Sequence, residues 1–303
     1  MALDADYLVD RSRLKRRLAF WRIAAIVVAV ALVTTAVGRF TGSASRDYIA
    51  RLSVERVIVD DTDRLAAIEE AIDDKKIKAV MVRINSPGGT VVGGEALHGA
   101  LVRLAETKPV VAVMGDLATS AGYMIAVPAH HIVAREGTIT GSIGVLFQTA
   151  EITDLLAKLG IGVETIQSGP LKAEPSPFKK LTPEVRHATQ ILVDDMFGMF
   201  IGMVATHRKM SLGKVRKLAD GRVFTGRMAV KNGLIDAIGG EREALRWLEA
   251  NKDIEKDLPV RDLRIRRQGL DWFDQIASLT RKTVFSERLT LDGLVSVWHP
   301  QLQ

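Results

Sequence analysis

Continuous apolar runs alternate with helix-period stretches along residues 48–206, and this alternation constrains the fold more than any other feature. The runs AVMVRIN (79–85) and VVAVMG (110–115) lack a regular polar alternation, which is typical of strands covered on both faces. A helix-period stretch over 62–74 precedes the first run, and another over 94–106 lies between the two. The pattern predicts an α/β fold of repeated, mostly parallel βαβ units.

The rest of this region continues the pattern. We expect a strand over 48–59, a short helix opening at Ser120, a strand over 131–134, a helix over 152–159 and an apolar strand, VETIQ, over 163–167. Thr182 followed by Pro183 is a helix-start signal, and it predicts a long helix to about residue 206. Apolar side chains of that helix are predicted to pack in the core: Met196, Phe197, Met199, Phe200 and Met203.

An apolar segment over 19–38, AFWRIAAIVVAVALVTTAVG, contains a single charge at Arg22. As a helix it is long enough to cross a hydrocarbon core about 30 Å thick. The basic cluster RSRLKRR precedes it, so the positive-inside rule keeps the N-terminus in the cytoplasm. We expect a single-pass anchor in the bacterial inner membrane, with the rest of the chain in the periplasm or outside the cell. A cleavable signal peptide is the rival interpretation.

These signals divide the chain into five segments: a cytoplasmic basic tail (1–18), the anchor (19–38), a linker (39–47), a main domain (48–250) and a C-terminal arm (251–303). The arm is amphipathic, and we expect it to pack on the domain or on a neighbouring subunit. A peptide-like regulatory tail or a membrane-surface helix are the alternatives.

Charge and composition exclude several classes of function. The net charge is +6, but residues 1–22 hold six basic and three acidic side chains and so carry half of the excess. With aromatic residues at 5%, no stacking platform for nucleic acid is evident, and we expect no nucleic-acid partner. The chain has no cysteine, which excludes disulfides, thiolate catalysis and cysteine zinc sites. We expect neither a cofactor nor a metal ion.

The sequence NSPGG (85–89) directly follows an apolar strand. Gly88 and Gly89 allow main-chain N–H groups to come close to a substrate, where two such amides can hold the negative charge of a tetrahedral intermediate. An ordinary strand-to-helix turn has the same sequence signature.

Ser120 lies in GDLATSAGYMIA, where small neighbours permit close backbone approach and the following apolar run indicates a buried helix. If Ser120 opens that helix, the N–H of Ala121 faces the reacting oxygen. A helix-capping serine without chemistry is the simpler alternative for this residue alone.

A serine needs a base to accept its proton, and none of the six histidines stands in a suitable context. A lysine kept uncharged by burial can replace histidine. Lys172, in the Gly/Pro-bounded loop SGPLKAEPSPF, fits that demand, and Ser142 in TGSIGV could fix the direction of its amine. Each residue alone is also explained as a surface lysine or a turn serine.

With NSPGG, Ser120, Ser142 and Lys172 in this order, the chain resembles signal peptide peptidase A in its short, single-repeat bacterial form. The resemblance covers about residues 50–245 and includes GRVFTGRMAVKNGLIDAIGG (221–240). It implies a membrane-anchored serine endopeptidase with a Clp-protease/crotonase-type fold, which degrades signal peptides left in the membrane after secretion. It also implies a ring of identical subunits.

Carried over by position, the resemblance implies that Ser120 is the nucleophile, Lys172 the general base and Ser142 the hydroxyl that orients the lysine. Gly88 and Ala121 match the oxyanion amides. In a ring, Lys172 could serve a serine on the adjacent subunit. The substrates implied are extended apolar peptides, read through backbone bonds beside a groove strand.

Two departures from the family pattern concern Arg56, where a glycine is common in the first strand, and Ala121, where a glycine often follows the nucleophile. Other classes of protein also fit parts of the pattern. A Clp-type Ser-His-Asp peptidase needs a histidine about 25 positions after the serine, where this chain has none. A stomatin-associated membrane serine protease of the same fold, a crotonase-like acyl-CoA enzyme and a non-catalytic membrane scaffold are the remaining alternatives.

Overall fold

The structure is a computed structural model that describes residues 17–33 and 47–266, together with the backbone of 294–297. Contacts divide the chain into two units, Met1–Asp47 and Tyr48–Gln303.

The described part of the first unit is one helix, α1, over residues 17–33. Its apolar side chains are exposed, among them Phe20, Trp21 and Val28. The helix predicted over 19–38 is thereby confirmed as far as residue 33. Residues 34–38 lie outside the described residues, as do most of the predicted tail and linker.

The second unit contains helices and strands in mixed order. The helices are α2 Thr62–Asp73, α3 Val91–Thr107, α4 Ala121–Met124, α5 Thr153–Lys158, α6 Pro183–His207, α7 Leu212–Leu218, α8 Gly226–Asn232 and α9 Glu241–Asn251. The strands are β1 Tyr48–Glu55, β2 Ile77–Ser86, β3 Gly88–Thr90, β4 Val110–Thr119, β5 His131–Ala134, β6 Ile139–Gly141, β7 Leu146–Phe147, β8 Val223–Thr225, β9 Ala237–Ile238, β10 Val260–Asp262 and β11 Leu294–Val297.

Two sheets are present within the described residues. The larger one has the order β10-β1-β2-β4-β5-β9, with every pair parallel. Strand β6 runs parallel to the end of β4 and antiparallel to β8. The smaller sheet has the order β3-β11-β7 and is antiparallel. The mixed α/β architecture with a central, mostly parallel sheet confirms the predicted fold class at that level.

The central strands are covered on both faces, as their continuous apolar sequences predict. Successive residues of β2 alternate between two clusters: Val80 and Val82 pack with residues of α2 and α3, whereas Met81 packs with Leu248 of α9. Burying these side chains supplies the main stabilisation of the fold.

Polar caps fix where three of the helices begin. The side chain of Asp61 accepts from the N–H of Arg64 at the start of α2. Thr90 accepts from the N–H of Gly93 at the start of α3, and Thr182 caps α6 as predicted. Because Thr90 also ends β3, the Gly-rich turn leads directly into a helix.

Local differences from the sequence predictions have local causes. Strand β1 ends at Glu55 because Arg56 has φ 64°, outside the range of a strand. The strand predicted for VETIQ is wrong: residues 161–167 are irregular, Val163 and Ile166 are exposed, and the segment pairs with none of the described strands. Strand β10 joins the main sheet beyond residue 250, within the segment predicted as an arm.

Helix α6 is only partly embedded in the core. Phe200 is fully buried, and Phe197 and Met203 pack against the core, as predicted. Ile191 and Leu192 in the first half are exposed. Among the described residues, α6 is the one helix of sufficient length and apolar composition to span a membrane, a criterion that core helices of soluble proteins also meet.

Candidate active site

The Gly-rich turn and Ser120 lie where two neighbouring parallel strands end. Strands β2 and β4 pair up to Ser86 and Ala118. The turn NSPGG continues from β2, and Ser120 follows β4 at once. The carboxyl ends of adjacent parallel strands therefore bring the Gly-rich turn and the serine to the same edge of the sheet.

Ser120 has an unusual backbone conformation, with φ 58° and ψ −121°. It occupies the capping position of α4, but its side chain makes no capping hydrogen bond, so the simple capping role is not observed. Its N–H donates to the carbonyl of Gly141 at 2.8 Å. A non-glycine residue with positive φ persists only where its surroundings enforce it, and such residues cluster at functional sites.

The small residues after Ser120 allow α4 to approach the end of β2. A Cβ added at Gly122 would lie 3.0 Å from the carbonyl oxygen of Ser86. Ala121 is fully buried, and its Cβ lies 3.0 Å from the position that a Cβ on Gly94 of α3 would take. The close approach predicted for this stretch is confirmed.

The Gly-rich turn is held by a buried hydroxyl that the sequence did not reveal. Ser86 Oγ donates to the carbonyl of Arg56 at 2.5 Å and accepts the N–H of Gly88 at 3.1 Å. Gly88 has φ 110°, which favours glycine. The N–H of Gly88 can donate to a substrate oxygen only if its hydrogen bond to Ser86 Oγ breaks.

Gly89 presents its backbone differently. The N–H of Ile58 donates to Gly88 and the N–H of Thr90 donates to Ile58, so these groups face one side of β3. Because backbone groups alternate along a strand, the N–H and C=O of Gly89 face the opposite side. Of the two predicted glycine donors, Gly89 is the one whose amide is directed away from the Ile58 edge.

Two threonine hydroxyls also hold the backbone around Ser120, and both escaped the sequence analysis. Thr119 Oγ1 donates to the carbonyl of Pro87 at 3.0 Å, and Thr140 Oγ1 donates to the carbonyl of Ala118 at 2.7 Å. Both threonines are fully buried. The bonds join residues 32 and 22 positions apart, which no local pattern could indicate.

Ser142 lies directly after the short strand β6, which borders Ser120. It has φ 50° and donates its N–H to the carbonyl of Arg222 at 2.9 Å. Since the preceding residue, Gly141, accepts the N–H of Ser120, the two serines are fixed to the same short strand. Ser142 is buried, which suits a hydroxyl that orients another group.

Lys172 is carried by a loop with several internal hydrogen bonds. Lys179 Nζ lies 2.7 Å from Gln167 Oε1 and 2.9 Å from Glu174 Oε1, which ties the two sides of the loop together. The N–H of Lys172 donates to the carbonyl of Gly169. Lys172 itself is exposed in the single chain, so the dry surroundings expected for a base are not found within one subunit.

The histidines for which contacts are described have other partners. His98 and His207 contact each other edge to face, with ring centroids 5.0 Å apart. His131 stacks on Trp247, and His130 Nδ1 accepts the N–H of Val110. Burial lowers the pKa of all four imidazoles. No cluster of metal-ligating side chains occurs within residues 17–33 or 47–266.

Residues 103–255 match the sequence profile of peptidase family S49, which is about half of the chain. The chain belongs to this family. The S49 match begins within α3 and ends after α9, so it includes Ser120, Ser142 and Lys172. The resemblance to signal peptide peptidase A is confirmed by this match and by the relatives.

Several curated proteins are similar to this S49 peptidase. A putative protease of Synechocystis sp. is 39% identical over 217 residues, which are 71% of this chain and 78% of the relative. The putative signal peptide peptidase SppA of Enterococcus faecium is 33% identical over 225 residues, 70% of this chain and 65% of the relative. Protease 4 of Salmonella typhi is 38% identical over 179 residues, 59% of this chain but 29% of the relative. Family and relatives together identify the chain as a protease.

Proposed function

We propose that this S49 protease is a membrane-anchored serine endopeptidase with a Clp-protease/crotonase-type fold, and that it hydrolyses extended apolar peptides through an acyl-enzyme on Ser120. The observation that carries the proposal is the position of Ser120. It is buried, held at positive φ between β4 and α4, and placed beside a Gly-rich turn. This combination suits a nucleophile whose surroundings are organised before the substrate arrives.

In the proposed reaction, Ser120 Oγ attacks the scissile carbonyl carbon while the uncharged amine of Lys172 accepts its proton. The N–H of Ala121, together with Gly88 or Gly89, donates to the oxygen that becomes negative. The C–N bond then breaks, and the leaving amine takes the proton from Lys172. Water hydrolyses the ester with the same lysine as base, and Ser142 orients the amine. Because only the uncharged amine accepts a proton, we expect activity to rise toward alkaline pH.

The exposure of Lys172 supports completion of the site by a second subunit. The surrounding segment has many exposed apolar side chains: Leu155, Leu159, Ile161, Val163, Ile166 and Leu171. Ile166 is 97% exposed. An apolar surface of this kind favours burial against a partner, which would also remove Lys172 from water. We propose a homo-oligomeric ring in which Lys172 of one subunit serves Ser120 of the next.

A mostly apolar cavity beside the lysine loop supports an apolar class of substrate. A cavity of about 230 Å³ lies between β7, the lysine loop and α6, lined by apolar side chains such as Phe147, Leu171, Val185 and Leu192. Such a lining suits apolar side chains. The SppA-type relative and the apolar helix α1 support remnant signal peptides as substrates, and a location at the bacterial inner membrane with the protease domain on the periplasmic or extracellular side.

The test compares hydrolysis of a fluorogenic apolar peptide by the full-length chain in detergent. Ser120→Ala and Lys172→Ala are each expected to lower kcat by a factor of about 10⁴ or more, as removal of a nucleophile or base does in other serine proteases. Lys180→Ala is the matched control, because Lys180 is an exposed lysine of the same segment. Wild-type rates in Lys172→Ala would contradict the base, and hydrolysis by Ser120→Ala would contradict the nucleophile.

A further inference from the structure

The loop that carries Lys172 is closed by one ammonium group. Lys179 Nζ donates to Gln167 Oε1 at 2.7 Å and to Glu174 Oε1 at 2.9 Å. Gln167 precedes Lys172 in the chain, whereas Glu174 and Lys179 follow it. The two bonds therefore close residues 167–179 into a compact loop with Lys172 between the joined positions.

Both acceptors of the ammonium are themselves tied to the backbone of the loop. Gln167 Nε2 donates to the carbonyl of Pro170 at 3.1 Å, on the side before Lys172. Glu174 Oε2 accepts the N–H of Ser176 at 3.0 Å, on the side after it. Residues 159–182, which the structure describes throughout, form neither an α-helix nor a strand. These side-chain bonds therefore contribute much of what fixes the shape of the loop.

The burial of Glu174 makes its partner hard to replace. The Glu174 side chain is 8% exposed, whereas the side chain of Lys179 is 37% exposed and remains in contact with water. A buried carboxylate that loses its ion-pair partner carries a large desolvation cost, which is relieved when the carboxylate moves into water. Because Glu174 and Lys172 share a short loop, such a movement displaces the lysine.

The loop faces helix α6 across an apolar cavity. Leu171 and Pro175 of the loop line this cavity together with Val185 and Leu192 of α6. Glu174 lines it as well, from the same side as the other loop residues. The helix limits where the loop can lie, and the bonds of Lys179 determine which shape the loop takes there.

We propose that Lys179 is a positioning residue for the general base, and that it holds residues 167–179 in the shape that presents Lys172 to the nucleophile. The inference rests on the proposed function, in which Lys172 is that base. The Lys179 ammonium is engaged by acceptors of its own loop, so it acts through Lys172 and not on the substrate. Displacing a catalytic group by about 1 Å lowers the rate by about a hundredfold, even when the altered residue is remote from the chemistry.

Steady-state hydrolysis of the fluorogenic peptide by the full-length chain in detergent tests this role. Lys179→Met keeps an unbranched side chain and removes its charge, so kcat should fall by about 10- to 100-fold, with KM changed less than about twofold. Lys180→Met is the matched control, because the Lys180 side chain is 72% exposed and lies 3.6 Å from the exposed carboxylate of Asp154. It should keep the wild-type kcat. Wild-type kcat in Lys179→Met, with Lys172→Ala inactive, would overturn the proposal.

Mixed rings show which subunit carries the defect. A chain with Ser120→Ala supplies lysines, a chain with Lys172→Ala supplies serines, and intact sites form where the two meet. Lys179→Met is added to one chain or to the other. It should lower the recovered activity about tenfold or more in the lysine-supplying chain, and leave it unchanged in the serine-supplying chain. Equal losses in the two mixtures would show a general destabilisation and overturn the proposal.

Amide hydrogen exchange gives a readout that needs no hydrolysis. In the Ser120→Ala protein, the amides of residues 168–178 should exchange about tenfold faster or more when Lys179→Met is added, and at an unchanged rate when Lys180→Met is added. Faster exchange, with no hydrolysis by the wild type, would contradict the proposed function but not the closure of the loop by Lys179. Unchanged exchange in Lys179→Met would overturn the closure itself.

Discussion

The hydroxyl of Thr119 donates a hydrogen bond of 3.0 Å to the carbonyl of Pro87, and so joins the residue before the nucleophile to the Gly-rich turn. Thr119 is the last residue of β4, Pro87 directly follows the neighbouring strand β2, and the threonine is fully buried. The bond fixes the distance between Ser120 and the amides proposed to stabilise its oxyanion. We assign Thr119 as a positioning residue.

Removing this hydroxyl should affect turnover more than substrate binding. Thr119→Val keeps the shape of the side chain but leaves the Pro87 carbonyl without its buried donor, which should cost about 1 kcal/mol in unfolding free energy. Because the oxyanion amides then shift relative to Ser120, kcat should fall about tenfold with KM little changed.

Steady-state kinetics on the fluorogenic peptide check this expectation. Thr119→Ser keeps the hydroxyl and should restore most of kcat. Thr140→Val is the matched control, since it removes a similar buried bond, to Ala118, that does not reach the Gly-rich turn. An equal loss of kcat in both valine variants would show a general effect of buried hydroxyls and contradict the specific role.

Mixing two inactive variants tests whether the site is shared between subunits. Ser120→Ala and Lys172→Ala each lack one group, and neither should hydrolyse peptide alone. If the lysine of one subunit serves the next, an equimolar mixed ring contains about a quarter of intact sites and should recover about a quarter of wild-type activity.

The mixture is assembled by dissociating and reassociating the two purified variants, and hydrolysis is measured before and after. Energy transfer between the two variants, labelled with different fluorophores, shows whether subunits have exchanged. If exchange is demonstrated and the two single variants still show no activity together, then each site is completed within one chain.

The sequence was sufficient for the elements whose pattern is local. Continuous apolar runs gave β2 and β4, and the Thr182-Pro183 signal gave the start of α6, because burial on both faces and helix capping act within a few residues. The sequence also placed NSPGG directly after an apolar strand, whereas the position of Ser120 at the end of the adjacent strand became visible only in the structure.

The parts that were missed depend on distant partners. Residues 163–167 have strand-like composition, but they pair with none of the strands that the structure describes, and the segment is irregular. The hydroxyl bonds of Ser86 and Thr119 reach backbone groups about 30 positions away. The pairing of Ser296 with Gly89 links opposite ends of the protease unit. Local composition contains no information on such contacts.

Gly89 should tolerate no side chain. A Cβ at this position would lie 1.7 Å from the carbonyl oxygen of Ile58, and that backbone is fixed by its own hydrogen bonds to Gly88 and Thr90. Gly89→Ala should therefore lower the unfolding free energy by about 3 kcal/mol and abolish hydrolysis. Gly213→Ala in α7 is the control, because no atom lies within 4 Å of its added Cβ, and it should be neutral or slightly stabilising. Thermal unfolding of both variants gives the comparison, and equal melting temperatures would contradict the close approach.

Acid should destabilise the protein through the buried His98, whose ring contacts the half-buried His207. Burial lowers the pKa of His98 to about 4, and its buried Nε2 has no hydrogen-bond partner within the part of the chain that the structure describes. Because the folded-state pKa lies below the unfolded value, the unfolded chain binds the proton more strongly, and stability falls as pH drops from about 6.5 toward 4. The expected loss from this residue is about 3 kcal/mol at pH 4.

His98→Phe keeps a ring of similar size without a titrating group, so its unfolding free energy, measured by denaturant titration, should fall less steeply over this pH range. His187→Phe, on the exposed surface of α6, should retain the wild-type slope. The same acid slope in wild type and in His98→Phe would place the acid sensitivity elsewhere in the protein.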